Sequence, residues 1–420
     1  MSILSDTERS VLCGEASIID YICASLEGAE DGEKQAELRY WQRVRDARKN
    51  GEKLVLFAGP APAELIYAAG CVPLYLDLLP LAVSKSAELT RSYIYDVDTH
   101  VSSNLCSGSK TILGALRQGG IRADAFVRAA VACPSFKSSY DEVQTRLGLK
   151  YFEFDTPSRL SERNIGYLAG TMPRFLDFLQ ELSGNRPECS DIRKLMEEKN
   201  RAKALLDLCA AQRKNIPCPM SSHMVELGRL MPAIGCTGEL TQLLERELAL
   251  CMERAGQGIG PCPDGEKHRV FFLQAPHWCA PELRRWLEQK YGAVTVMDGM
   301  GYSAGPLYNG ADGMEDCLRE LAAGLFEPPA LHGGNRGAQE LISGTLSLTE
   351  EYAPDTLLFL GDRWCRQIWA VTKMLSDSLH ERFGLSIFMT DADGIDPGYK
   401  DEGQIKTLVS EYMDTVVCGK

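Results

Sequence analysis

The chain has 420 residues, 45% apolar and 25% charged, so it is long enough for two or three domains with cores of their own and disorder is not the default. A net charge of −13 argues against a broad phosphate-neutralising surface, and with it against nucleic acid as a partner. The first residues, MSILSDTERSVLCGEASIIDYICASLEG, lack a basic segment followed by an unbroken apolar core, and no run of about 18 apolar residues occurs elsewhere, so a soluble, cytoplasmic protein without a membrane span is expected.

In chain order, residues 1–50 carry apolar positions at helical spacing and end on Gly51, which predicts a helical N-terminal segment. From Lys53 the pattern changes to KLVLFAG, PAELIYAAG and CVPLYLD: strand, helix, strand. The unit returns as DAFVRAAVAC, SSYDEVQTRLG and KYFEFD, which makes residues 51–185 a first α/β domain with a parallel sheet. Residues 186–265 read as a helical connection, interrupted by NIPCPM and MPAIGCTG. A second α/β domain follows over 266–420, with strands in HRVFFLQAP, AVTVMDG, DTLLFLGDRWC and LSIFMTDADG. The fold class expected is therefore α/β, two Rossmann-like domains with parallel sheets.

Fifteen cysteines are an odd number in a long chain without a secretion signal, so reduced thiols or soft-metal ligands are expected rather than a disulfide framework. No CxxC pair occurs, which speaks against a zinc ribbon, a thioredoxin-type site and ferredoxin runs. Any metal cluster must be assembled from distant residues.

Two segments are alike. In one, Asp124 precedes an apolar strand, Cys133 ends it, and a helix and a strand closing on Asp155 follow. In the other, Asp355, Cys365 and Asp391 hold the same places, so the chain reads as two related α/β halves. A residue between a parallel strand and the next helix lies on the ligand-binding edge of an open sheet, where the helix N-terminus favours thiolate. Cys133 and Cys365 are thus placed as ligands or nucleophiles, the alternative being two buried cysteines. Cys106, in DVDTHVSSNLCSGSKTILGAL, also opens a helical pattern. Three thiolates from separate segments suit an iron–sulfur cluster with one iron lacking a cysteine; zinc stays open, and so does a catalytic cysteine with His100 or His277 as its base.

The order GPAPAELIYAAGCVPLYL, SSNLCSGSK, VACPSFKSSYDE, FFLQAPHWCAPELRRWLEQKYG and GDRWCRQ…TDADGIDP resembles the 2-hydroxyacyl-CoA dehydratase family, which includes benzoyl-CoA reductase subunits. The resemblance covers about residues 50 to 410. It implies two Rossmann-like domains with a [4Fe–4S] cluster held by cysteines matching Cys106, Cys133 and Cys365. It also implies a coenzyme A thioester as substrate, a related second subunit or a second copy of the chain, and an ATP-hydrolysing activator that injects one electron. The chain has no GxxxxGK[ST] motif, which agrees with ATP being handled elsewhere. In the family mechanism that electron makes a ketyl radical, which expels the 2-hydroxyl and acidifies the neighbouring hydrogen; the cofactor carries the hard step, and its open iron can act as a Lewis acid.

The resemblance also places an acidic residue near the cluster, matched by Glu64 as a catalytic residue, against the plainer reading of a solvated glutamate in a first helical turn. His277 and Trp278, after the strand FFLQA, are the substrate-binding expectation. Pro276, His277, Trp278 and Cys279 depart from the cysteine and tryptophan that tend to follow the proline in the family, which leaves the acyl group open. Arg336, in LHGGNRGAQELISG, is within a loop able to approach a coenzyme A phosphate, or is a plain loop residue. A reductase of the same superfamily, including a double-cubane protein recruiting Cys71 and Cys279, and a scaffold or electron-relay subunit are the alternatives.

Overall fold

The structure is a computed structural model that describes residues 4–102, 104–129, 133–157, 159–274, 278–299, 308–310, 312–326 and 337–419. The chain divides into two compact units: unit 1 comprises Met1–Lys203, Leu230–Leu243 and Gly305–Glu327, and unit 2 comprises Ala204–Arg229, Leu244–Ala304 and Pro328–Lys420.

Unit 1 is built on a parallel sheet of β1 (Leu54–Ala58), β2 (Val72–Tyr75), β3 (Ala125–Ala129) and β4 (Lys150–Phe154), in the order β2-β1-β3-β4. Every residue of β1 and β3 is buried, including Arg128, as expected of inner strands covered on both faces, whereas β4 is the more exposed edge. Arg128 stays in β3 because Asp141 (2.7 Å) and Glu153 (2.8 Å) pair with its guanidinium. The helices Asp6–Leu12, Ile18–Leu26 and Gly32–Asp46 precede the sheet, the first two opened by capping boxes at Ser5/Glu8 and Ser17/Asp20. Tyr40 ties this helical lead-in to β2, its hydroxyl donating to the Pro73 carbonyl (3.2 Å) and accepting from the Tyr75 N–H (2.8 Å).

Unit 2 repeats the plan with β5 (His268–Phe272), β6 (Ala293–Asp298), β7 (Thr356–Asp362) and β8 (Ile387–Ala392), in the order β6-β5-β7-β8. All eight strands fall within the apolar runs that predict them. The internal likeness extends to single hydrogen bonds. Asp124 accepts from the Leu54 N–H of β1 (3.0 Å), and Asp355 from the Arg269 N–H of β5 (3.1 Å). Each carboxylate also faces a basic residue just before or at the start of the neighbouring strand, Lys53 at 3.4 Å and His268 at 3.3 Å.

In both sheets the chain crosses from one side of the central pair to the other, between β1 and β3 and between β5 and β7. The carboxyl ends of those pairs are the switch points at which open α/β sheets bind ligands. One detail of the expectation shifts: Cys133 and Cys365 do not end their strands. β7 closes at Asp362, and each cysteine is instead the N-cap of the next helix, Pro134–Leu147 and Arg366–Phe383. No helix among the described residues is long and apolar enough to cross a membrane.

Candidate active site

Glu64 lies in the first turn of the helix Ala63–Ala68, beyond the carboxyl end of β1. It is not solvated: its side chain is 0% exposed, and the plainer reading of an exposed first-turn glutamate does not hold. The Oε1 atom accepts from Lys199 Nζ (2.5 Å) and from the Tyr308 hydroxyl (2.8 Å), while Oε2 is buried without a hydrogen-bond partner among the described residues. Burial alone would raise the carboxyl, but the Lys199 ammonium, and hydrogen bonds from Lys199 and Tyr308, outweigh it and hold Glu64 below the usual carboxylate range. Glu64 reciprocally holds Lys199 protonated. Close by, the Cys236 thiol is pushed well up, first by burial and then by Glu64.

Lys199 and its neighbour Asn200 sit on the long helix Cys189–Gln212. Asn200 clamps the Tyr308 backbone, Nδ2 donating to the carbonyl (2.7 Å) and Oδ1 accepting from the N–H (2.8 Å), so the phenol is delivered to Glu64 at a fixed height. The sequence reading did not find these three. The run EEKNRAK looks like the solvated face of a charged helix, and nothing local shows that Lys199 meets a glutamate 135 residues away.

Cys106 and Cys133 open two helices of unit 1 that meet at their N-termini. Cys106 caps Ser107–Gln118, its sulfur accepting from the Ser109 N–H (3.4 Å) and contacting Ser109 Oγ (3.2 Å). The Cys106 N–H donates to Oγ of Ser135, in the first turn behind Cys133, and that oxygen lies 3.0 Å from Ser109 Oγ. The Cys106 helix can lie against the helix Ala87–Asp98 because residue 114 is glycine; an added Cβ would collide with the Tyr93 backbone. Both cysteines are half-buried.

Cys365, also half-buried, holds the corresponding place in unit 2. Its N–H donates to the Asp362 carbonyl (3.0 Å), which also accepts from Trp369 Nε1 (2.9 Å), and Gly361 leaves the room that the Trp369 ring fills. The Asp362 carboxyl is pushed up to about 7, chiefly by burial and then by Asp393, against the pull of the backbone N–H groups of Trp364, Cys365 and Gly394. This group, able to hold a proton near neutral pH, was also missed.

Trp278 follows β5, its Nε1 buried without a hydrogen-bond partner among the described residues. His277 and Arg336 lie outside the described residues. His100 is an exposed residue that follows the helix Ala87–Asp98 and precedes the helix Ser107–Gln118, so in the chain it stands between two helices rather than behind a strand. Cys71 is fully buried in the unit 1 core, where burial pushes its thiol to about 11, and the half-buried Cys279 donates its S–H to the Asp393 carbonyl (3.1 Å).

Among the described residues no group of three or more His, Cys, Asp or Glu side chains is placed to hold a metal ion. Within unit 1, Cys106 and Cys133 are half-buried thiols at the N-termini of helices of 12 and 14 residues that meet there, and within unit 2 Cys365 is a half-buried thiol at the N-terminus of a helix of 18 residues; the thiol is the donor type that a soft metal takes.

Fold and site together define a protein of two doubly wound α/β units with helix-capping cysteines and, in unit 1, a buried carboxylate beyond the central strands. Residues 60–416 match the family of the 2-hydroxyglutaryl-CoA dehydratase D-component, and the chain belongs to that family. No curated protein shows a significant match to it.

Proposed function

We propose that the chain is the iron–sulfur subunit of a 2-hydroxyacyl-CoA dehydratase-like enzyme of the cytoplasm. It eliminates water from a 2-hydroxyacyl-CoA through a ketyl radical, one electron being injected by an ATP-hydrolysing activator. The observation that carries this reading is the match to the dehydratase-component family over residues 60–416. Cys106, Cys133 and Cys365 hold a [4Fe–4S] cluster, which when bound supplies a low-potential electron and an iron without a thiolate.

The chain's own residues do the rest. Glu64 is kept ionised by Lys199 and Tyr308, and its unpartnered Oε2 is an acceptor for the substrate's 2-hydroxyl. Anchoring at Oε1 fixes where that acceptor points. Trp278 Nε1, a buried donor without a hydrogen-bond partner among the described residues, recognises the acyl-CoA together with His277. The partner is a related second subunit or a second copy of this chain.

Anaerobic reconstitution with iron and sulfide, followed by turnover with activator, ATP and a strong reductant, tests this. About four iron and four sulfide per chain are expected, with ATP needed only to start turnover because the electron returns after each elimination. Colourless protein sinks the assignment. ATP use in fixed proportion to product moves the chain to the reductases of the same superfamily.

A further inference from the structure

Cys189 and Cys317 are separate from this machinery. Cys189 is the first residue of the helix Cys189–Gln212, and Cys317 lies in the helix Met314–Gly324, both in unit 1. Their sulfurs are 3.6 Å apart, in van der Waals contact and 128 residues distant in sequence. Cys317 is 0% exposed within the unit 1 core, whereas Cys189 is half-buried at its margin. On the Cys189 side stands Arg193, one turn along the helix, with Nη2 3.8 Å from the Cys189 sulfur and a buried Nε that has no hydrogen-bond partner among the described residues.

We propose that Cys189 and Cys317 are a redox-active dithiol, with Cys189 as the attacking thiol and Cys317 as the resolving thiol, oxidised to a disulfide by low-molecular-weight disulfides. The asymmetry assigns the roles. Cys189 is reachable at the margin of the core, with the Arg193 guanidinium 3.8 Å from its sulfur. Burial pushes the Cys317 thiol to about 11, so it reacts only when the adjacent sulfur has become electrophilic. The Cys189 thiolate attacks the oxidant, cleaving its S–S bond, forming a mixed disulfide and expelling one thiol. Cys317 then gives up its proton and displaces the second thiol from Cys189. The oxidant gains two electrons and two protons as two thiols, and the protein loses two hydrogens. The sulfurs must approach by about 1.5 Å to reach bonding distance, a movement within side-chain rotation. The bond ties the helix whose lead-in carries Tyr308 to the helix that carries Lys199 and Asn200, closing the frame around Glu64.

The test is anaerobic titration of the full chain with oxidised glutathione, trapping of free thiols with iodoacetamide, and non-reducing peptide mapping. Exposed Cys13 and Cys418 report on ordinary surface thiols. A cross-linked peptide pair joining Cys189 to Cys317, lighter by two hydrogens and restored by dithiothreitol, is expected. In Cys317→Ser the glutathione adduct should remain on Cys189, and in Cys189→Ser residue Cys317 should stay unmodified. The proposal is overturned if wild-type Cys189 accumulates the glutathione adduct without the cross-link. It is equally overturned if both cysteines are alkylated at oxidant levels that glutathionylate Cys13 and Cys418. The wild-type map decides even if a variant fails to fold.

Discussion

The Glu64 carboxylate shows how one residue's environment reverses its electrostatics. Its folded-state pKa is lowered, so the stability it contributes is fully present above the ordinary value of 4.5 and is lost as pH falls through the depressed folded value. Lys199→Met removes the cation and leaves the carboxylate buried, a change expected to cost about 3–5 kcal/mol near neutral pH. The sign then inverts. Burial, the largest influence on this carboxyl, then outweighs the remaining Tyr308 hydrogen bond and raises it, and stability falls as pH rises from the ordinary value through the new one. The melting-temperature deficit of Lys199→Met against wild type should therefore be larger at pH 8 than at pH 5, and Glu64→Gln in the same chain should recover much of it. Equal deficits at both pH values would mean that Lys199 acts through packing alone. Glu64 was singled out by the family resemblance, whereas the places of Cys106, Cys133 and Cys365 ahead of helices were legible from the local strand and helix signals. Lys199, Asn200 and Tyr308 were not, since their part depends on tertiary contacts across more than a hundred residues.

At the scale of elements, the two sheets share a device that no propensity describes. The residue before β3 and the residue before β7 are both aspartates, and each accepts the N–H of the first or second residue of the neighbouring central strand. Strand ends otherwise leave such donors to water, and here a carboxylate fixes the register of the central pair instead. Asp124→Ala should orphan the Leu54 N–H and cost about 1–3 kcal/mol, whereas Asp124→Asn keeps an acceptor and should cost less. Urea midpoints of the two variants check this, and equal losses would assign the effect to the ion pair with Lys53. Asp355 is the more exposed of the pair, so its substitution should matter less. The inner strands β1, β3, β5 and β7 were legible because apolar runs of five to seven residues, buried on both faces, leave little alternative. The end of β7 was placed too late because Arg363 and Trp364, unlike the strand ahead of them, are in a turn, with the Trp364 N–H donating to Asp362 Oδ1 (2.9 Å).

For the whole molecule, the repeated strand order makes the chain two copies of one plan, and the proposed ligands sit at matching places in it: Cys133 behind β3, Cys365 behind β7, with Cys106 added in unit 1. If the three act as one ligand set, iron content answers cooperatively to their loss, because a cubane with two thiolates is too weakly held to survive purification. Cys133→Ala and Cys365→Ala should each fall from about four iron per chain to nearly none, although each substitution touches a different unit. Cys209→Ala is the control: it lies on an apolar helical face, 2% exposed, where burial pushes the thiol to about 11, so it should leave iron unchanged. Far-ultraviolet circular dichroism of all three proteins separates cluster loss from unfolding. Iron retained at half its level in either ligand variant would mean that each unit binds metal by itself, and equal iron loss in all three would mean that thiols that merely pack had been taken for ligands.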